Sequence, residues 1–364
     1  MKYFVFFTLF ITINSRTAAQ QTISTNEYFR TVKISDSIYQ FEPANQLNDF
    51  VDGNCTAFIG KTGVFLADAM QKPYYANAAI QELSKLTRLP VKYIFITHWH
   101  GDHNMALGVW KKKFPGLIVI SHTETKKSMQ DNIREMGEIK KGYPDFILPS
   151  EQALKDRLNF DSSKMTDYDF KRLSNTVAEL KKIVSYKDQY NFVNPALTFT
   201  DSLIFNFDGK QLEMFHTPEA HTKGDAMLWV PSKKILITGD IIVNPIPYAF
   251  SVNHSGLITM LEHIKIMNPS ILIPGHGPAE TDFVYTDQLI SLLKDFETAF
   301  TTAISKYEKP KFPDLKKDIA LEKHRQLFAG DDEVKNWAFT NFFMNPAIYS
   351  HLIKWREKNG VKPK

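Results

Sequence analysis

The chain has 364 residues, of which 43% are hydrophobic and 23% are charged, and its formal net charge is +4. This composition is typical of a folded globular protein and excludes a disordered or fibrous chain. The net charge is small and evenly spread, so no nucleic-acid-binding surface is predicted, and the run Lys111 to Lys113 is interpreted as a solvated helix face. The single cysteine, Cys55, excludes an intramolecular disulfide and is expected to be a buried structural thiol.

Residues 1–20 have the pattern of an export signal. Lys2 precedes the apolar run YFVFFTLFITI, and small residues follow, with Ala19 as the candidate cleavage point. The apolar run is short for a membrane span, so we expect cleavage; an uncleaved anchor is the alternative. No cysteine stands near the cleavage point, which disfavours a lipid anchor. The mature protein is therefore predicted to be periplasmic or secreted, without stable membrane insertion.

Strands and helices are predicted to alternate after the signal. Residues 31–70 have a β-strand pattern, with a hairpin that turns at Gly60 to Gly63. YANAAIQELSKLT has helical spacing, VKYIFIT is an apolar strand, Asn104 to Lys113 suits a helix, and LIVISH is a further strand. This order of elements predicts a layered α/β architecture.

The second half of the chain returns to strands after an interruption. Residues from about 124 to 190 are charged and mainly helical in pattern, and they are interpreted as an insertion. Strands are then predicted in LIFNFDGKQLEMFHT, DAMLWVP and KKILITGD, with a helix at about 256–267 before PSILIPGHG. Residues 286–364 are predicted to be a C-terminal helical extension of a domain that covers residues 21–285.

Histidines and acids follow four of these predicted strands. They are the motif HWHGDH, His221 in HTKGD, Asp240 in TGD and His276 in PGHG. Loops after strands of an α/β sheet gather at one edge, so these side chains are expected to converge. His98 and His100 point the same way because side chains alternate along an extended segment. Gly101 allows a sharp turn after them. Imidazole and carboxylate ligands suit zinc, and they also tolerate iron and manganese.

The four motifs, in this order and spacing, resemble the metallo-β-lactamase superfamily over about residues 31–285. The resemblance implies a four-layer αββα sandwich with two Zn²⁺ ions per chain at one edge of its sheets. It implies that one ion is held by His98, His100 and His221, and a second by Asp102, His103 and His276. Asp240 would bridge both ions. A hydroxide between the ions would attack the substrate, while Asp102 orients it and relays a proton.

Three further residues are candidates around this centre. Asp68 follows the strand VFLADA, and an acid there is typical of the family, so it is expected to accept a hydrogen bond from a metal-binding imidazole. The alternative is a simple turn residue at the strand end. Tyr248 and His254 are candidates for the wall of the substrate pocket, although a structural role is equally compatible with their positions. The other histidines are interpreted as structural or exposed.

The resemblance implies an exported dinuclear zinc hydrolase that cleaves an ester, lactone, thioester or amide, a β-lactam included. Asp240 stands where two subclasses of β-lactamase have a cysteine ligand, so the set is closer to glyoxalase II and lactonases. The alternatives are a mononuclear iron dioxygenase of the persulfide dioxygenase type and a non-catalytic binding protein. The partner is predicted to be a small-molecule substrate, and the sequence leaves the substrate and the oligomeric state open.

Overall fold

The computed structural model describes residues 20–44, 47, 51–141, 144–217, 219–250 and 252–361. The predicted export signal lies outside the described residues, apart from Gln20. Within the described ranges, no helix is both long enough and apolar enough to cross a bilayer.

Eight strands form the first sheet, in which each strand lies beside its neighbours in the sequence. The first five strands pair antiparallel, and the pairs from the fifth to the eighth strand are parallel. The strands are β1 (Gln21–Thr25), β2 (Phe29–Ser35), β3 (Ile38–Pro43), β4 (Cys55–Ile59), β5 (Val64–Ala67), β6 (Val91–Ile96), β7 (Ile118–His122) and β8 (Leu197–Phe199).

Five strands form the second sheet, again with chain neighbours side by side. The pairs are antiparallel except for the last, which is parallel. The strands are β9 (Ser202–Phe207), β10 (Lys210–His216), β11 (Ala226–Val230), β12 (Ile235–Val243) and β13 (Ile271–His276).

Helices connect and cover the two sheets. The α-helices are α1 (Pro73–Leu86), α2 (Gly101–Asn104), α3 (Leu107–Lys113), α4 (Thr123–Asp131), α5 (Ile133–Lys141), α6 (Pro144–Asp156), α7 (Asp167–Ser185), α8 (His254–Met267), α9 (Val284–Ile304), α10 (Phe312–Asp318), α11 (Glu322–Ala329), α12 (Glu333–Ala338) and α13 (Asn345–Lys358). Short 3₁₀ turns occupy Lys187–Gln189 and Pro231–Lys233, and a π-helical turn, Phe339–Met344, joins α12 to α13.

The core is divided among layers by the alternation of side chains along the strands. In β6, Ile94 packs with α1 and α3, whereas its neighbour Phe95 packs between the two sheets. In the second sheet, Ile237 packs between the sheets and Leu236 packs with α8, α9 and the C-terminal helices. The layers are therefore helices, sheet, sheet and helices, which confirms the predicted αββα sandwich.

The local predictions agree with the structure, with one difference at the histidine motif. The hairpin at Gly60 to Gly63 is present between β4 and β5, and the segment from 124 to 190 is mainly helical. The single helix predicted over Asn104 to Lys113 is wrong, because the structure has two short helices there: α2 ends at Asn104 and α3 begins at Leu107. The Asn104 side-chain amide donates to the carbonyls of Trp99 and His100, at 2.6 Å each, which satisfies acceptors that a sharp turn would leave open.

The C-terminal helices belong to the outer layer on the second sheet. Leu289, Leu292 and Phe296 of α9 pack in one cluster with α8, while Phe343 and Leu352 bring the last helices into the same cluster. The predicted division of the chain at residue 285 stays a prediction, and the structure adds that α9 begins at Val284 as part of this layer.

Candidate metal centre

Seven side chains meet at one edge of the two sheets, and they form two groups. They come from the segment after β6, the loop after β10, strand β12 and the end of β13; Asp240, expected after its strand, lies within β12, which continues to Val243. The first group consists of His98, His100, His221 and Asp240, and the second consists of Asp102, His103, His276 and again Asp240. The ligand atoms within each group lie within 4.8 Å of one another. The convergence that the four motifs predict is therefore present in the structure.

The first group is built around three imidazoles. His221 Nε2 lies 3.0 Å from His100 Nδ1. The Asp240 carboxylate oxygen Oδ2 lies 3.7 Å from His98 Nε2 and 3.5 Å from His221 Nε2. His98 and His221 are almost completely buried. The nitrogens and the carboxylate oxygen thus surround one small volume.

The second group uses the other oxygen of the same carboxylate. Asp240 Oδ1 lies 3.2 Å from His103 Nε2 and 3.6 Å from His276 Nε2. Those two nitrogens are 3.3 Å apart. Asp102 Oδ2 completes the group at 2.9 Å from His276 Nε2 and 3.4 Å from His103 Nε2. The two oxygens of Asp240 therefore face different groups, which is the arrangement that a bridging carboxylate requires.

The spacing and hydrogen bonding of these groups fit divalent cations. Ligand atoms about 2.0–2.1 Å from a tetrahedral zinc ion lie about 3.3 Å from one another, close to the distances in both groups. His98 Nε2 and Asp240 Oδ1 are buried without a hydrogen-bond partner in the described part of the chain. Such atoms are costly to bury unless a cation or another partner satisfies them. The donor set of imidazole and carboxylate suits zinc, with iron and manganese also compatible.

The histidines of the two groups have different pKa values, because burial dominates in the first group and neighbouring carboxylates dominate in the second. Burial, followed by the neighbouring His103, lowers the pKa of His98 well below its usual value, and burial lowers that of His221 to about 3. Burial opposes ionisation in the second group as well, but the carboxylates outweigh it. Asp102 and Asp240 raise the pKa of His103 well above its usual value, and Asp240 and Asp102 raise that of His276 to about 9.

Asp68 lies where the sequence places it, next to this centre. Its Oδ2 is 2.8 Å from His103 Nδ1, so the opposite ring nitrogen faces the second group. The hydroxyl and backbone N–H of Thr97 also donate to this carboxylate, and the Thr97 hydroxyl is 3.1 Å from His98 Nδ1. An acceptor that fixes the ring in this way is usual for metal-binding histidines.

Two glycines leave the room that the centre needs. A Cβ on Gly53 would lie 2.4 Å from the His103 ring, and a Cβ on Gly275 would lie 1.9 Å from Asp240 Oδ1. Asn54 ties these segments together, since its side-chain amide donates to the carbonyls of Pro274 and Gly277. Any larger residue at position 53 or 275 would therefore displace a predicted ligand.

The two candidates for the pocket wall have different surroundings. The Tyr248 ring is buried, with its centroid 5.2 Å from that of His276, so it lies directly beside the second group. His254 is the first residue of α8, and its ring contacts Phe296 and His351. The structure therefore gives His254 a different neighbourhood, among the outer helices.

Several residues that support the centre were not predicted from the sequence. Thr97 links Asp68 to His98, and the Asp225 carboxylate accepts the backbone N–H groups of His221 and Thr222. Thr97 and Asp225 stand inside or next to the motifs, so their closeness in sequence to the predicted ligands could have identified them. Asn54 is remote in sequence from the residues it holds, and no pattern pointed to it.

Comparison with known proteins gives one family match and distant relatives. The model of the metallo-beta-lactamase superfamily matches residues 48–276, a range that contains both groups. A beta-lactamase-like protein 2 homolog of Caenorhabditis elegans is 25% identical over 201 residues, covering 55% of this chain and 47% of the relative. A linear primary-alkylsulfatase of Pseudomonas sp. (strain ATCC 19151) is 18% identical over 243 residues, covering 64% of this chain and 43% of the relative.

The chain spans less than half the length of these two curated relatives. Among solved structures, a metallo-beta-lactamase family protein from Thermus thermophilus has a TM-score of 0.54 at 17% identity. The match covers 90% of this chain and 95% of that one. This likeness concerns the fold, and it extends beyond the range of the family match.

Proposed function

Because the chain belongs to the metallo-beta-lactamase superfamily, whose members are mostly metal-dependent hydrolases, we propose that it is a hydrolase with two metal ions per chain. The observation that carries the proposal is the Asp240 carboxylate, which turns one oxygen toward each group of ligands. We assign the first ion to His98, His100 and His221, and the second to Asp102, His103 and His276. Zinc is the proposed metal, since the ligands are imidazole and carboxylate.

Bound ions at these positions would supply a water of lowered pKa and would polarise the bond to be cleaved. The chain itself holds the ligands in place: Asp68 orients the His103 ring, and Thr97 lies against His98 Nδ1. A buried site of this kind needs no serine or cysteine nucleophile. The only cysteine of the sequence, Cys55, is buried in β4 and contributes to packing.

Asp102 is the proposed proton carrier of the reaction. Its side chain is 14% exposed, compared with 1% for Asp240, so it is the carboxylate of the centre with access to solvent. Burial would raise the pKa of Asp102, but His103 and His276 hold it well below its usual value, so the group is ionised at neutral pH and can accept a hydrogen bond from a bound water, and it would hold a proton only in passing.

The bond we propose is an ester, lactone, thioester or amide, a β-lactam included. The curated alkylsulfatase relative adds a sulfate ester to these candidates. The wall beside the centre is aromatic, since Tyr248 contacts both His276 and Phe342. An aromatic wall favours a small-molecule substrate with an apolar part next to the reacting group.

The test combines metal content with turnover of a substrate panel. We expect about two zinc ions per chain and hydrolysis of one member among a cephalosporin, an aryl ester, a lactone, a thioester and an alkyl sulfate. Asp240→Asn should retain at most one ion and lose about a thousandfold in kcat/KM, because several kcal/mol of charge stabilisation is lost. One iron per chain without hydrolysis would overturn the proposal in favour of an iron dioxygenase. Metal without any turnover would favour a binding protein.

We also propose that residues 1–20 direct export, so that the mature protein acts in the periplasm or is secreted. The apolar run after Lys2 and the small residues up to Ala19 support this. Amino-terminal sequencing of the protein recovered from cell fractions tests it. A chain that starts near Gln20 in the periplasm or medium is expected, and a full-length chain in the cytoplasm would contradict the proposal.

A further inference from the structure

A second cluster of metal-ligating side chains lies among the outer helices. It consists of His254 of α8, Glu297 of α9 and His351 of α13, whose ligand atoms lie within 4.8 Å of one another. The three helices come from the core of the fold and from the C-terminal extension. The proposed reaction does not use these residues, and two of them, Glu297 and His351, lie beyond the range of the family match.

One carboxylate oxygen is the common neighbour of both imidazoles. Glu297 Oε1 lies 2.8 Å from His351 Nε2 and 3.3 Å from His254 Nδ1. The ring centroids of the two histidines are 4.4 Å apart and their planes are inclined by 58°. In the predicted metal centre, the imidazoles His98, His100 and His221 have centroids 4.7–5.1 Å apart. The packing of the two outer histidines is therefore similar to that of ligands around one ion.

The hydrogen bonding of His351 prepares its Nε2 to bind a cation. Its Nδ1 lies 2.9 Å from the carbonyl of Ala347, and only a protonated Nδ1 can donate to that oxygen. The neutral ring then carries a lone pair on Nε2, directed at the Glu297 carboxylate. At 2.8 Å the two atoms need a positive charge between them, which is either a proton on Nε2 or a bound cation in its place. Donation of the second ring nitrogen to a backbone carbonyl is also the usual arrangement of a metal-binding histidine.

His254 provides an independent indication. The residue is 2% exposed, and among the described residues its Nε2 has no hydrogen-bond partner, while its Nδ1 has Glu297 Oε1 beside it at 3.3 Å. The centroid of the His254 ring lies 5.1 Å from that of Phe296 and 6.3 Å from that of Phe343, on which it stacks, so apolar groups surround most of the ring. A buried imidazole whose polar atoms have so few and such long contacts is unfavourable, and a cation bound at Nδ1 would stabilise it.

We propose that His254 Nδ1, Glu297 Oε1 and His351 Nε2 form a separate binding site for a divalent cation of the zinc class. Two imidazoles and one carboxylate are a ligand set that zinc accepts, with a fourth position for water. Glu297 is 40% exposed, so the cation has access from solvent. A bound cation would join the C-terminal helix α13 to α8 and α9.

The experiment counts metal ions in the full chain with the main centre disabled. The triple variant His98→Ala, Asp240→Ala, His276→Ala, which removes a ligand from each group of the main centre as well as the shared carboxylate, is freed of metal by chelation, reloaded with Zn²⁺ or Co²⁺, desalted and measured by elemental analysis. We expect about one ion per chain, and its loss when Glu297→Gln is added. Visible absorption of the Co²⁺ form should show a site with nitrogen ligands that disappears with the same substitution. This result does not depend on whether the main centre is a hydrolase.

Two further variants separate the site from surface binding. His351→Gln should also remove the ion, whereas His263→Gln, an exposed histidine on the same helix α8, should leave the count unchanged. Circular dichroism confirms that each variant is folded, and the partly exposed Glu297 makes Glu297→Gln the variant best suited to this control. The proposal is overturned if the disabled chain binds no ion, or if it binds one that Glu297→Gln and His351→Gln leave in place.

Discussion

At the scale of the residue, Asp68 combines an unusual backbone conformation with three charge-assisted contacts. Its φ is 61°, in the left-handed region that residues other than glycine seldom adopt. Its carboxylate nevertheless accepts the backbone N–H and hydroxyl of Thr97 and contacts His103 Nδ1. These contacts offset the local strain, and strain of this kind is concentrated at functional sites.

The substitution Asp68→Asn tests the contact between Asp68 and His103. Asparagine keeps the shape and tolerates the left-handed conformation, but it removes the charge that orients His103. We expect metal affinity at the second group to fall about 10- to 100-fold, as is typical for partners of metal-binding histidines. Competition with a chromophoric chelator measures it. Asp36→Asn, on an exposed turn, is the control, and equal affinities in the two variants would contradict the assignment.

Glu280 provides a pH-dependent prediction. Burial raises the pKa of its carboxyl to about 7, although Asn244 donates to one of its oxygens. The unfolded chain loses this proton near its ordinary pKa of about 4.5, and the folded chain loses it near 7, so the free energy of unfolding should fall between those values. The carboxyl is partly exposed, and solvent weakens the effect, so we expect the free energy of unfolding to decrease by about 2 kcal/mol over this pH range.

The Glu280→Gln variant should lack this decrease, since glutamine carries no proton to lose. Urea unfolding of the wild type and the variant at pH 5 and pH 8 measures the difference. The variant should be the more stable of the two at pH 8 and similar to the wild type at pH 5. Parallel pH profiles would show that Glu280 ionises normally in the folded protein.

At the scale of the element, an ion-pair cluster joins α7, in the segment predicted to be an insertion, to the loop before β4. Lys72, at the start of α1, is almost completely buried, with Nζ 3.1 Å from Asp52 and 3.0 Å from Glu179 of α7. Asp52 also accepts the backbone N–H groups of Gln71 and Lys72. The next residue, Gly53, lies against His103, so the cluster holds a segment beside the second group.

Lys72→Met should therefore be strongly destabilising, because it leaves the buried Asp52 without its cation. Breaking a buried pair in this way costs about 3–5 kcal/mol of the free energy of unfolding. The control is Lys181→Met, whose ion pair with Glu151 is exposed and should cost less than about 1 kcal/mol. Chemical denaturation of both variants measures the difference, and similar losses would show that the buried cluster contributes little.

Patterns in the sequence predict the elements that place the centre. The apolar strand before His98, the strand that ends at His276 and the seven predicted ligands can be recognised in the sequence because each is a local pattern, and strand ends gather at one edge. The contacts of Glu179 with Lys72 and of Glu297 with His254 join distant segments. They depend on how helices pack against each other, which spacing within one helix does not determine.

At the scale of the whole molecule, aromatic rings connect the centre to the predicted insertion and to the predicted C-terminal extension. Tyr248, beside His276, packs against Phe342 of the π-helical turn, and Phe342 packs against Trp337. The ring centroids are 5.3 Å apart in each pair. The guanidinium of Arg172, in the insertion helix α7, lies over the Trp337 ring at 4.8 Å. Short π-helical turns are frequent at functional sites, and here one carries the ring that backs Tyr248.

Phe342→Ala should separate substrate binding from metal binding. The truncation removes the support of Tyr248 without touching a predicted ligand, so metal content should remain that of the wild type. We expect kcat/KM to fall about tenfold, mainly through KM, because uniform substrate binding is lost. Tyr349→Ala, an exposed aromatic on α13, is the control. Unchanged kinetics would assign Phe342 to packing alone.

The distribution of the seven side chains along the chain has a consequence for the order of folding. His98 and His103 follow a strand of the first sheet, while His221, Asp240 and His276 belong to the second, so the centre exists only after the two sheets have docked. Contacts between such distant segments form slowly, because the long intervening loop must close first. Metal uptake during refolding should therefore report a late event, and a chelator present only in the first moments of refolding should leave the final yield unchanged.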